Sequence, residues 1–480
     1  MKIIKSKSEL PEIGNCIYLF FLMDFQEDIL GMDTELRGKI DGLDLAILVN
    51  NQDSIIMQLN SELLDFLKSI IEDRTIIKVI GGARVLPIIT SKYGFIWRNF
   101  VDLDFLFLLF GIERGIRDFR IRGLLTPEQF FTFYLTKAKA EWNFYLFLQQ
   151  ISHLFNLKFI KLSELLRDVQ QIFYLMSVNG IKVNTIFLEN LIQKKDLLPD
   201  FAKKILENFI QFIKNDRIYF TCDFETASLR ATTRNFNVQG LPQSVVLQNG
   251  EIVNFRNLLC AEDGYDLVSC DFDQLEVRII AHLSQDKNLL NFFKQNKDFH
   301  LETAKFLFRV QEDDKDINIF RQKAKRINFA MFYGMGAKKL ATELQIAETE
   351  AEQLIENWKI LYRGVEILKE FVYNKYQKDG FIINLFDMPT SFMDGITKNE
   401  IFNWVIQSSG SILSHLSLRR IYFECLQRDW DAMPVLDLHD GFVFEVNKGY
   451  TKDFVKLLKQ IFEDWDLTVP ITVKIKVNEV

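Results

Sequence analysis

Arg321, Lys325, Phe329 and Tyr333 recur at intervals of four in the segment RQKAKRINFAMFYGMGAKKL, residues 321–340. On an α-helix that spacing lays them along one slowly drifting stripe. Two cations followed by two aromatics suit a triphosphate lying next to a stacked base. Guanidinium and ammonium groups give charge-assisted hydrogen bonds to phosphate oxygens. Residues 319–340 contain no Asp or Glu, although the chain is acidic. The same spacing also fits an ordinary helix with basic groups in water and aromatics in the core, and this segment alone leaves both readings open. His300, in DFHLETAKFLF (298–308), adds either a phosphate donor or a structural histidine.

Two carboxylates stand at the ends of apolar, strand-like runs. YDLVSCDFDQLEVRIIAHLSQD (265–286) reads as a strand ending at Asp271, then a turn into a helix, with Asp273 and Glu276 close by. VLDLHDGFVFEV (435–446) reads as a β-hairpin whose tip carries His439, Asp440 and Gly441. An Asp-Gly turn between alternating apolar strands is a common hairpin signal, so Asp440 either turns in water or delivers a charge to a partner. Clustered carboxylates at buried strand ends attract a divalent cation, because an unpaired buried charge is costly.

The elements that must position these groups follow from apolar spacing. DLAILVNNQDSIIMQL (44–59) predicts two strands around a polar turn, and SELLDFLKSIIED (61–73) predicts a helix capped by its serine. A further helix is expected over 127–155, near Pro127. Residues 160–220 read as helical with a break at NGIKVN (179–184), and 225–260 as irregular and polar. A long helical region is expected from the end of the 265–286 motif to about 378. Strands follow at 381–385, 435–438, 442–446 and 470–477, and helices at 399–428 and 451–465.

The 480 residues suggest two to four domains. The 48% hydrophobic and 26% charged content is that of a globular protein, and 45 phenylalanines against 8 prolines predict a large aromatic, helix-rich core. A formal charge of −7 argues against an all-round basic coat but leaves room for a local basic groove. Five scattered cysteines without a CxxC pair read as reduced residues of a cytoplasmic protein. No apolar run is long enough to span a bilayer, which predicts no membrane role.

In order and spacing, these pieces resemble family A DNA polymerases, the class of bacterial DNA polymerase I, over roughly residues 160–480. DFDQLEVR resembles D-Y-S-Q-I-E-L-R, RQKAKRINFAMFYG resembles R-x3-K-x3-F-x3-Y-G, and LHDGFVF resembles V-H-D-E. TASLRATTRNFNVQGLP (226–242) and NWVIQSSGSIL (403–413) resemble two further family segments. The resemblance implies an α/β and α+β multidomain chain. An RNase H-like exonuclease-type domain (1–155) would precede a right-hand polymerase (156–480), with a short thumb at about 160–225, palm at about 226–285 and 380–480, and fingers at about 286–379. It implies a DNA-dependent DNA polymerase that extends a primer with deoxynucleoside triphosphates. Asp271, Asp440 and the backbone carbonyl of Phe272 would hold two Mg²⁺ ions, for which Mn²⁺ can substitute. Arg321, Lys325 and His300 would bind the triphosphate, with Lys325 also counted as catalytic. Phe329, Tyr333, Glu276 and Gln274 would complete the nucleotide site, Phe329 disfavouring dideoxynucleotides and Glu276 excluding a ribose 2′-hydroxyl. Arg230, Asn403, Gln407 and His439 would contact primer–template DNA, largely through its backbone and groove shape. A monomer is expected, working in a bacterial cytoplasm or nucleoid or encoded by a phage or plasmid. A helicase, primase or processivity factor is a candidate partner.

The sequence departs from the family at several points. Gly441 replaces the usual glutamate, which implies weakened rather than abolished catalysis. FDMP (386–389) replaces an arginine pair, Gln243 stands where arginine is common, and Ser228-Leu229-Arg230 replaces Thr-Gly-Arg. About forty residues between GIKVN and TASLR make a short thumb, implying low processivity without a partner. In the N-terminal region LGMDTEL (30–36) resembles the first exonuclease motif through Asp33 and Glu35. Leu86 falls where a later motif has aspartate, and Lys137 and Glu141 align with the last, so the proofreading site reads as vestigial. The competing reading is a lapsed polymerase that serves as a DNA-binding replisome scaffold. Gly441 and the lost arginines favour it, whereas the retained Asp271, Asp440, Arg321, Lys325 and Tyr333 favour activity.

Overall fold

The structure is a computed structural model. It describes residues 157–480 except 225, 227, 296, 391, 393, 394 and 480, together with residues 3, 4, 6, 8, 10, 16–22, 45–49, 54–73, 76–80, 86–98 and 100–102. Asp33, Glu35, Lys137, Glu141 and the helix expected over 127–155 lie outside the described residues.

Short apolar runs near the N-terminus build a mixed sheet. Strands β1 (Ile3–Ile4), β2 (Cys16–Leu22), β3 (Leu45–Val49), β4 (Ser54–Gln58), β5 (Ile77–Ile80) and β6 (Phe100–Asp102) lie in the order β1-β4-β3-β2-β5-β6. β2, β3 and β4 pair antiparallel, while β1 runs parallel to β4 and β5 runs parallel to both β2 and β6. The hairpin expected over 44–59 is therefore present. Helix α1 (Ser61–Ile71) turns Leu63, Leu67, Ile70 and Ile71 into this core. Its cap is Asn60 rather than the expected serine, because the Asn60 Oδ1 already accepts the Leu63 amide at 3.0 Å. Leu86 is buried at the start of a helix over Leu86–Tyr93.

Helix α2 (Leu157–Asn179) serves two cores. Tyr174 belongs to the N-terminal one, its hydroxyl 2.6 Å from Thr90 Oγ1. Leu166, Val169, Ile172, Phe173 and Met176 enter a second core that runs without a break to Ile471. Its Asp168 pairs with Arg419 at 2.7 Å.

The second core surrounds a four-stranded antiparallel sheet. β7 (Tyr265–Phe272) is followed by helices α3 (Leu275–Ser284), α4 (Phe299–Phe308), α5 (Ile317–Tyr333), α6 (Glu348–Leu361) and α7 (Lys398–Gln427). Then come β8 (Ala432–Asp437), β9 (Gly441–Asn447) and, after another helix, β10 (Val473–Val477). The order β8-β9-β7-β10 makes β7 central, so both apolar runs flagged in the sequence lie side by side. α7 opens on a capping box between Thr397 and Glu400 and is buried almost all round. Gly410 lets it approach α3, where a Cβ would just touch Leu275 and Ile279 at 3.6 Å. Gly334 closes α5 in a left-handed conformation (φ 78°), and any side chain there would collide with Asn399.

Candidate active site

Asp271 and Asp440 meet because of backbone register. Asp271 in β7 sits directly across from Gly441 in β9, and the Asp440 carbonyl accepts the Phe272 amide at 2.8 Å. That bond ties the hairpin tip to the strand end. Desolvation in the cleft and, second, the facing Asp440 carboxylate hold Asp271 up at about 6, although its open side still reaches solvent. Asp440 is raised too, chiefly by burial, with Arg230 and His439 acting against it. Two crowded carboxylates suit a hard divalent cation. Among the described residues no three His, Cys, Asp or Glu side chains are placed to hold one metal ion together, so water and substrate oxygens would have to complete any coordination shell. Phe272 is buried, its ring stacked on Phe462 at 5.2 Å.

The hairpin tip is braced from beneath. Asp437 is fully buried and its Oδ1 accepts the His439 amide at 2.8 Å, which holds His439 at φ 74°. His415 lies 3.3 Å from Asp437 Oδ2 in a pocket formed by Phe173, Phe224 and Phe442. Gln239 donates to the Asp437 carbonyl at 3.0 Å. None of Asp437, His415 or Gln239 stands out in the sequence, since none belongs to a repeating local pattern.

The stripe on α5 resolves the ambiguity left by its spacing. Phe329 and Tyr333 are each 41% exposed, on the same side as exposed Lys325 and half-buried Arg321. Ala324, Ile327, Asn328, Ala330, Met331 and Phe332 fill the core instead. The Phe329 and Tyr333 rings lie nearly parallel with centroids 6.4 Å apart. Arg321 is held by Asp298 at 2.6 Å, whereas Lys325 makes no hydrogen bond or ion pair among the described residues. A cavity of about 340 Å³ brings this stripe together with Arg230, Gln274, Glu276, His300 and Asp440.

His300 is buried, and burial, opposed by Asp298, takes it down to about 4, so it is neutral at pH 7. Its tautomer is set by neighbours. The Trp358 indole can only donate, and it donates to Asn328 Oδ1 at 2.8 Å. Asn328 Nδ2 must then donate to His300 Nδ1, at 3.0 Å, and to Thr303. The ring proton therefore sits on Nε2, and the neutral imidazole can still donate to an anion.

Glu276 joins two other candidates. One oxygen accepts from Arg230 and the other from the Tyr333 hydroxyl. Burial raises the Glu276 pKa, and burial followed by the Glu276 charge raises that of Tyr333. Gln274 has φ 54°, and its buried Oε1 has no hydrogen-bond partner among the described residues. Leu229 adopts φ 58° where the resembling segment has glycine, and Thr226 clamps the Arg230 amide at 2.9 Å. Asn403 and Gln407 lie one turn apart on α7, half-exposed, and do not line the cavity. The FDMP segment makes a tight turn in which Asn384 accepts the Phe386 and Met388 amides and Phe386 packs on Trp465.

The profile described as DNA polymerase family A matches residues 185–480. DNA polymerase I of Treponema pallidum is 30% identical over 262 residues, covering 53% of this chain and 26% of that protein. The thermostable DNA polymerase I of Thermus thermophilus is 31% identical over 264 residues, covering 53% and 31%. The chain thus spans about a quarter to a third of the length of these curated relatives. Among solved structures, the POL domain of Pol1 from M. smegmatis, in complex with DNA primer-template and dNTP, superposes with a TM-score of 0.76 at 18% identity. That match covers 91% of this chain and 92% of the other and shows a shared fold. No helix among the described residues is long and apolar enough to cross a membrane.

Two outcomes follow from the crowded strands. A Cβ at Gly441 would lie 2.9 Å from the Asp271 Cα and well inside contact with the Cys270 carbonyl oxygen. Gly441→Ala should therefore destabilise the chain by about 1–3 kcal/mol in chemical denaturation, as overpacking does. Gly441→Glu should not recover whatever the missing carboxylate supplies, and an Ala variant as stable as wild type would contradict this packing. The raised Asp271 sets the second. A carboxyl held near 6 when folded and near 3.8 when unfolded binds its proton more tightly in the native state, so stability is lost as pH rises through that window. Asp271→Asn removes the loss. Its Tm in metal-free buffer should gain on wild type between pH 4 and pH 7, and a constant difference would rule the crowding out.

Proposed function

The chain belongs to DNA polymerase family A, and from that premise we propose that it is a template-directed DNA polymerase extending a primer 3′ end with deoxynucleoside triphosphates. The observation that carries the reading is that Asp440 lines one cavity with the cationic–aromatic face of α5, while backbone register holds Asp271 beside it. Carboxylates alone would make a cation site and the stripe alone an anion site. A nucleotidyl transfer needs both within one nucleotide's length.

Asp271 and Asp440 would hold Mg²⁺, with the Phe272 carbonyl as a further oxygen donor; Mn²⁺ can substitute. When bound, such ions stabilise the attacking 3′-oxygen and the leaving pyrophosphate. The protein's own residues orient the reactants. Arg321 leaves Asp298 for the triphosphate, Lys325 meets the phosphates as a free ammonium, and His300 donates through Nε2. Phe329 packs on the sugar. Tyr333 and Glu276, already bonded, close the nucleotide end and exclude a 2′-hydroxyl. Arg230 and His439 approach the primer end beside Asp440, with Asn403 and Gln407 further along the duplex. The short segment between GIKVN and TASLR supports low processivity for the chain alone. Leu86 at an expected acidic position supports a chain without proofreading. We read it as a monomer of a bacterial cytoplasm or of a phage or plasmid host, with a helicase, primase or processivity factor as candidate partners.

One primer-extension experiment tests these statements. With four deoxynucleotides and Mg²⁺, wild type should extend a labelled primer, while Asp271→Ala and Asp440→Ala should lose at least about a hundredfold in rate. With a DNA trap, products should stay short of hundreds of nucleotides; without nucleotides, the primer should remain intact. Folded wild type that binds primer–template yet never extends it, in Mg²⁺ or Mn²⁺, would favour the scaffold reading.

A further inference from the structure

Lys474 occupies the other flank of Asp271. In β10 it sits directly across from Asp271, on the side opposite Gly441. Cross-strand partners project to the same face of a sheet. Lys474 accordingly lines the same cavity as Arg321, Lys325 and His300. Its side chain is 71% exposed and its ammonium pairs with Asp273 Oδ1.

Asp273 does not depend on that pair. The buried Arg278 donates through Nε to the Asp273 carbonyl at 2.7 Å and lies 3.2 Å from Oδ2 through Nη2, while its Nη1 is anchored on the Pro470 carbonyl. Removing Lys474 therefore leaves Asp273 still compensated, and breaking a pair is costly only when it orphans a buried charge. The exchange of one anion for another at an exposed ammonium is inexpensive. Asp273 also lies close enough to His300 for its charge to act on that ring. Asp273 and Lys474 both line the cavity with His300, Arg321 and Lys325, the groups proposed to meet the phosphates.

We propose that Lys474 is a further ligand for the polyphosphate tail of the incoming nucleotide, leaving Asp273 for a phosphate oxygen when the nucleotide enters. The proposal rests on the nucleotide-polymerising reading of this cavity. Lys474 then faces Arg321 and Lys325 across the tail, so the anion is gripped from the sheet as well as from α5. Lys476, two residues on in β10, pairs with Glu479 and does not line the cavity. It serves as a control of equal charge on the same strand.

The test is calorimetric binding of dATP to the full chain at low salt, for wild type, Lys474→Ala, Lys474→Arg and Lys476→Ala, with each fold checked by its melting curve. Loss of one charge-assisted phosphate contact should weaken binding about five- to tenfold in Lys474→Ala. Lys474→Arg should stay within about twofold of wild type, and Lys476→Ala should match it. Wild-type affinity in Lys474→Ala, an equal loss in Lys476→Ala, or no dATP binding by wild type overturns the proposal. Primer extension by wild type is scored separately. A chain that binds dATP through Lys474 yet never extends a primer would overturn the polymerase reading and leave the ligand assignment standing.

Discussion

The backbone bond from the Phe272 amide to the Asp440 carbonyl is the constraint on which the site depends. It joins residues far apart in the chain and forces two carboxylates to share one cleft. Burial removes much of the water that would hydrate them, and the Asp440 charge adds to this at Asp271, so both are held above the ordinary carboxylate range. Antiparallel pairing on both sides of β7 and the buried Asp437 brace hold them there. Such a site is less stable empty than an apolar one of the same shape, and that is the usual cost of a preorganised charge cluster. Gly441 belongs to the same constraint. Its strand passes so near β7 that a side chain there would collide with the Cys270 carbonyl and the Asp271 Cα, so the position lacks both the charge and the room for it.

What the sequence made legible is what periodicity and motif order encode. The strand end at Asp271, the hairpin tip at Asp440 and the four-residue stripe on α5 all appear where spacing put them. Whether Phe329 and Tyr333 face core or cleft was not legible, because helical spacing fixes a face without saying what covers it. Burial of the Asn328 and Phe332 side decides it. The Asn60 cap was missed because serine and asparagine compete for one cap position and differ by one residue of register. Positions of Asp33, Glu35, Lys137 and Glu141 remain sequence statements alone.

The residues that sequence reasoning missed share a physical character. Asn328, Trp358, Asp437, His415 and Gln239 act through hydrogen bonds between elements distant in the chain. No local pattern marks them, since their partners lie on elements far away in the sequence. The three-dimensional signal is clear: a polar side chain without solvent must find partners. Those partners here are the imidazole of His300 and the turn that carries Asp440. The buried polar groups thus fix a tautomer and a turn, which apolar packing could not do.

On the proposed reading, the cations of the cleft explain how an acidic chain would hold a polyanion. Arg321 rests on Asp298, Lys474 on Asp273 and Arg230 on Glu276. Each acidic partner stands where a phosphate or nucleic-acid oxygen would compete for the same donor. These pairs neutralise the cleft when it is empty, so local positive charge does not have to appear in the overall charge of −7. They also orient the donors before a ligand arrives, which lowers the ordering cost of binding. Lys325 is the exception, with no partner among the described residues. Its neighbour one turn earlier is already committed to Asp298, so an entering phosphate meets a free ammonium first and a paired guanidinium second. Beside the two carboxylates that suit a cation, the cleft thus offers an anion one unpaired lysine and three paired donors that can exchange partners.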